Sequence, residues 1–224
     1  MKLVAPALYL LITSFSAGVP NTGGAQAIPS ALPVKVLSQS PADSTTNLQI
    51  ICLFRSSPQN TLHGSLIEID DKLHGTLHEI RTPALFSGEL GETVLITPPP
   101  GTLAAKRLLI VGLGDSQTFT PERMRLAGKV AFIEADRLGV AHPFFAPTIL
   151  DGGVTGFTTD RVSYQAVLGF LDGLATEQML QREGAAPVST VVDFTFLAGL
   201  KHAPATRAGV DKALGKAAAN NPNE

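Results

Sequence analysis

The chain has 224 residues, a formal net charge of −2, and 44% hydrophobic against 16% charged residues. That length and apolar content suit one domain with a sizeable core, or at most two small ones. The lack of a basic excess argues against a nucleic-acid partner, and the single cysteine, Cys52, excludes an internal disulfide.

The first 27 residues read as a secretory signal peptide. Lys2 gives a positive start, Leu3 to Val19 is mostly apolar but broken by Pro6 and Gly18, and Ala25-Gln26-Ala27 offers small residues at the cleavage-determining positions. The apolar core is short and interrupted for a membrane span, and an uncleaved anchor is the alternative reading. The expectation is an exported chain, periplasmic or extracellular, with no stable membrane span after cleavage. It would begin near Ile28, form a single domain over residues 28–219, and end in the polar tail Asn220 to Glu224.

Leu32 to Leu37 reads as a short first strand, followed by a polar loop from Ser40 to Asn47. Leu48 to Phe54 is a continuous apolar run of buried-strand type, in which Cys52 is expected to be an inert buried thiol. Leu66, Ile69, Leu73, Leu77 and Ile80 recur every three or four residues, which predicts one helix over 62–80. Gly88 and Gly91 mark a turn, Thr93 to Thr97 a strand, and Pro98-Pro99-Pro100-Gly101 its sharp end. Arg107 to Gly112 is an almost wholly aliphatic strand, as strands covered on both faces are.

Thr120-Pro121-Glu122 carries the chemistry of a helix start, and Gly139 that of its stop. Pro143 to Leu150 reads as the next strand. Asp160 is placed as the cap of a helix through Gln181, with Val167, Leu168, Leu171, Leu174 and Leu180 on its stripe. Val188 to Leu197 reads as a final strand, and Ala203 to Ala219 as a last, alanine-rich helix. Strands alternating with helices give an α/β class with a mixed, largely parallel sheet flanked by helices.

Two glycine segments are the candidate site. Gly112-Leu113-Gly114 leaves one strand, and Asp151-Gly152-Gly153-Val154-Thr155-Gly156-Phe157 lies between another strand and a helix. Glycine allows close backbone approach, strand-to-helix loops can aim N–H groups at an anion, and ligands of open α/β sheets bind at the carboxyl ends of strands. Two such loops facing one crevice would suit a diphosphate, although turn-making alone also explains the glycines. His74 and His78, four apart on the predicted helix, could be metal ligands, but the HExxH order is absent. No nucleophile elbow and no Walker loop occurs. No catalytic residue, metal site or cofactor is therefore assigned.

The stretch from Gly88 to Asp115, GELGETVLITPPPGTLAAKRLLIVGLGD, resembles the amino-terminal domain of the leucyl aminopeptidase family. The segment Thr148 to Phe157 resembles the second phosphate loop of macro domains, the ADP-ribose-binding modules, and the two resemblances agree because those folds are similar. They imply a three-layer macro-like fold. In that family a second, larger domain carries the metals and the chemistry, and its Asn-Thr-Asp-Ala-Glu-Gly-Arg signature is absent here. The resemblance implies a non-catalytic domain acting in protein association or small-ligand binding. Its partners would be a second copy or a separate catalytic aminopeptidase chain, since this domain helps assemble the oligomer in full-length relatives. The alternative is binding, or even hydrolysis, of ADP-ribose or a related phosphorylated compound. Against that alternative, Asp151 brings a carboxylate to the phosphate loop. A metal-dependent aminopeptidase is the least supported reading.

Overall fold

The computed structural model describes residues 32–57 and 61–219. The expected leader and the polar tail lie outside the described residues. Strands β1 (Val34–Ser38), β2 (Gln49–Leu53), β3 (Thr93–Ile96), β4 (Leu108–Gly112), β5 (Phe144–Ala146) and β6 (Phe194–Ala198) form one sheet in the order β1-β6-β5-β2-β4-β3. All neighbours pair in parallel except β3, which runs antiparallel to β4.

Helices α1 (Gly64–Lys72) and α2 (Thr76–Ile80) cover one face. Helices α3 (Arg123–Arg137), α4 (Thr159–Arg182) and α5 (Ala203–Ala219) cover the other. The alternation of side chains along a strand builds both cores at once. In β2, Ile50 and Cys52 join the α3–α5 layer, while Ile51 and Leu53 join the α1–α2 layer. Leu109 and Val111 divide from Leu108 and Ile110 in the same way in β4. This is the mixed sheet flanked by helices that the element order implied, and the three-layer arrangement that the family resemblance implied. Cys52 is buried, and burial pushes its thiol pKa up, so it stays protonated.

Several element boundaries differ from the sequence expectation, each for a local reason. The helix over 62–80 is two helices, because His74 and Gly75 adopt left-handed backbone (φ 56° and 88°) and the Gly75 N–H returns to the Asp70 carbonyl at 2.9 Å. Leu66, Ile69, Leu73 and Leu77 remain buried across the break.

The strand over 143–150 pairs only at Phe144–Ala146. Pro147 has no N–H to donate, and Thr148 turns left-handed at φ 47°. The Thr148 hydroxyl then takes over the ladder, accepting from Cys52 N (3.0 Å) and donating to Cys52 O (2.5 Å). The last strand begins at Phe194, not Val188, because Val192 and Asp193 donate to the loop carbonyl of Ala141. Helix α4 is entered from Thr158, and Asp160 sits in its first turn.

Its buried face keeps Val167 and Leu174 of the expected stripe and adds small residues to it. Gly169 and Gly173 face α3, where a Cβ on Gly169 would lie 2.1 Å from the Arg125 carbonyl. Small residues win these positions because the two helix backbones touch, which pushes Leu168, Leu171 and Leu180 toward partial exposure.

Candidate functional site

The carboxyl ends of the parallel strands carry the candidate residues, and the two glycine segments behave differently there. Gly112, Leu113 and Gly114 are buried extensions of β4. Their N–H groups are already donated: Gly112 to Glu92 O, Leu113 to Leu53 O and Gly114 to Gly88 O, each at 2.8 Å. A Cβ at Gly112 would lie 2.0 Å from the Glu89 carbonyl oxygen, so close packing of the 87–92 turn explains that glycine. No N–H of this segment is left to cradle a phosphate.

In the second segment, Gly152, Gly153 and Val154 donate to Thr148 O, Leu150 O and Ile149 O at 2.9–3.0 Å, closing a tight turn. Gly153 takes φ 84° there, which suits glycine. Thr155 and Gly156 are exposed. Phe157 packs edge-on against Phe119 (5.8 Å between ring centres), which packs edge-on against Phe54 (5.1 Å). Gly152 also rests on Phe54, which a Cβ would approach to 2.8 Å. Three phenylalanine rings thus pack in a row against the second glycine segment.

Asp151 is drawn away from those rings. Its carboxylate accepts from the Ser65 hydroxyl and backbone, and its carbonyl accepts from His63 N at 2.8 Å. His63, at the N-cap position of α1, makes no side-chain cap bond. Asp151 therefore supplies from a distant segment the oxygen that the first turn of α1 needs. Burial, with Glu68 nearby, raises its pKa above the usual carboxylate value despite the Ser65 hydrogen bonds.

On the other side of Asp151 a cleft opens at the ends of β1, β6 and β5, with a volume of about 390 Å³. Its walls are Ser65 and Glu68 of α1, the Pro147–Asp151 loop, Thr159 and Val162 of α4, Phe196–Gly199 of β6, and His202 and Thr206 at the start of α5. Glu68 Oε2 accepts the Ser40 hydroxyl at 2.7 Å. Of the predicted site residues, only Asp151 reaches this cleft. His74 and His78 no longer share a helix, and among the described residues no group of three or more His, Cys, Asp or Glu could hold a metal ion.

The sequence profile described as the cytosol aminopeptidase family, N-terminal domain, matches residues 50–173, more than half of the chain. The chain belongs to that family by its N-terminal domain. A probable cytosol aminopeptidase of Thermosynechococcus vestitus is 29% identical over 123 residues, which are 53% of this chain and 23% of that protein. The chain thus spans under a quarter of that relative's length.

Among solved structures, a point mutant of tomato leucine aminopeptidase superposes with a TM-score of 0.59 at 19% identity, over 84% of this chain and 36% of that one. A point mutant of the Oceanobacillus iheyensis macrodomain solved with ADPR, which is ADP-ribose, superposes with a TM-score of 0.56 at 14% identity. That match covers 81% of this chain and 94% of the macrodomain. At these identities the structural likenesses establish the macro-like fold of this aminopeptidase N-terminal domain.

Sequence reasoning found the strand ends but not the cleft. Ser65, Glu68, Phe196, His202 and Thr206 carry no motif and come from three separated stretches of chain. The available signal was topological: the crevice of a doubly wound sheet opens where crossovers diverge, and here β5 and β6 lie between β2 and β1.

Proposed function

We propose that this aminopeptidase N-terminal domain is a non-catalytic small-ligand-binding module whose site is the cleft at the carboxyl ends of β1, β6 and β5. The observation that carries the reading is the cleft itself. Its volume of about 390 Å³ lies in the range of small-molecule sites, and its apolar walls with a few converging polar groups fit such a role. The leader-like first 27 residues support export, so the module would act in the periplasm or outside the cell.

A fragment screen followed by ¹H–¹⁵N chemical-shift mapping tests this. Shift changes should gather at Thr148, Val162, Ala198 and Thr206. Ala198→Phe, at a partly exposed cleft position, should weaken binding at least tenfold without unfolding the protein. Hits that ignore the cleft would overturn the reading.

Binding of ADP-ribose or a related phosphorylated compound is the alternative drawn from the macrodomain likeness. The exposed Thr155–Gly156 stretch and the Arg161 guanidinium 5.9 Å from the Phe157 ring centre favour it. The spent N–H groups of Gly112–Gly114 and the phenylalanine packing weigh against it. Calorimetric titration with ADP-ribose should give flat heats. Micromolar binding lost in Gly153→Glu would promote the alternative.

Pairing with a second copy or with a separate catalytic aminopeptidase chain has its own support. Leu37 on the edge strand β1 is 43% exposed and Leu200 beyond β6 is 82% exposed. Sedimentation velocity of the chain alone, and mixed with such a partner, decides between monomer and complex.

A further inference from the structure

The charge of the cleft is one-sided. Its lining includes the carboxylates of Glu68 and Asp151 and the imidazole of His202, and no Lys or Arg. Glu68 Oε2 is held by Ser40, while its Oε1 has no partner among the described residues. Across the cleft, Thr206, 2% exposed, adds a hydroxyl to the lining. Between these polar points lie Ile149, Val162 and Phe196. An anion entering here meets two carboxylates, the half-buried Asp151 and the exposed Glu68, and is repelled by both. A cation meets them with favourable sign, and an apolar body beside it covers apolar wall.

We propose that the cleft takes a compact organic cation, an ammonium group carried on a branched or cyclic apolar body. The ammonium lies against Glu68 and Asp151, and the body rests on Ile149, Val162 and Phe196. The Thr206 hydroxyl accepts or donates to a second polar atom of the ligand. This rests on the ligand-binding reading above and adds the chemical class. Burial first, and the Glu68 charge to a lesser degree, raise the pKa of Asp151, and a cation bound between the two carboxylates would offset the second of these.

The test is a matched ligand series titrated into the whole protein near neutral pH and followed by ¹H–¹⁵N shifts. Cyclohexylammonium, cyclohexanol and cyclohexanecarboxylate share one body and differ in charge. The expected order is ammonium over alcohol by tenfold or more, with the carboxylate weakest. Glu68 is an exposed helix residue, so Glu68→Gln should fold normally and reduce the ammonium-over-alcohol preference to threefold or less. Equal affinity for all three ligands, or preference for the carboxylate, would overturn the cation assignment while leaving a ligand-binding cleft. An ammonium preference unchanged in Glu68→Gln would also overturn it, by placing the cation elsewhere. Failure of all three ligands to move any cleft resonance would overturn both this assignment and the binding reading beneath it.

Discussion

At the β2–β4 end of the sheet's carboxyl edge, Phe54, Phe119 and Phe157 pack against one another and against Gly152, and the backbone donors of both glycine segments are largely spent on the protein itself. At the β1–β6–β5 end the same edge opens into a cleft with carboxylates at its rim. Asp151 stands between the two: its segment packs on Phe54 through Gly152, while its carboxylate turns to α1 and the cleft. The contrast teaches that a glycine motif at a strand end reports close packing as readily as a ligand. What separates the two cases is where the N–H groups go.

Removing one of the packed rings is the hardest test of the closed end. Phe119 is 4% exposed, so Phe119→Ala should cost about 3–4 kcal/mol in denaturant unfolding. Ligand affinity at the open cleft should change less than threefold. A loss near zero would mean the rings do not hold this end shut.

The glycines sharpen the comparison next. Gly112→Ala forces a Cβ into the Glu89 carbonyl and should destabilise by about 2–3 kcal/mol. Gly156→Ala, with no atom within 4 Å of its added Cβ and no left-handed φ, should stay within about 0.5 kcal/mol. Equal costs would contradict the division into packing and loop glycines.

The smallest effect belongs to the residue at the boundary. Asp151→Ala should cost about 1 kcal/mol through the lost cap of α1, and Asp151→Asn less, because an amide oxygen can still accept from Ser65. The pH dependence has a definite sign. The folded pKa of Asp151 is raised, so its contribution to stability is full below the unfolded pKa and is lost as pH rises through the folded value. The deficit of Asp151→Asn relative to the parent should therefore shrink as pH rises from about 4. Paired denaturation curves across that range check it, and a deficit that grows would reverse the assignment.

Much of the fold was legible in order and kind. Strands at 49–53 and 108–112 announced themselves as unbroken aliphatic runs, and α5 begins at Ala203 and ends at Ala219 where its alanine-rich stretch does. Boundaries failed where a backbone feature outweighed the pattern. The left-handed pair His74–Gly75 split a helix, and Pro147 with Thr148 cut a strand short. The stripe of α4 found Val167 and Leu174, which are buried, but missed Gly169, because periodicity rewards large apolar residues whereas close helix contact selects small ones.

By itself the sequence determined the three-layer α/β architecture, the family of its 50–173 segment and the clustering of glycines at strand ends. The alternation of strands and helices is written in runs of neighbouring residues, through hydrophobic period and turn chemistry, and the family and its three layers in the resemblance of particular segments. Only the tertiary structure decided which strand end is closed and which is open. The cause is spatial: Phe54, Phe119 and Phe157 converge from three loops, and Ser65, Glu68, Asp151, Phe196 and Thr206 from four other segments, two helices, a strand and a loop. No local pattern encodes a meeting of residues that the chain holds far apart, so the cleft and its charge appear only once the sheet brings β5 and β6 between β2 and β1.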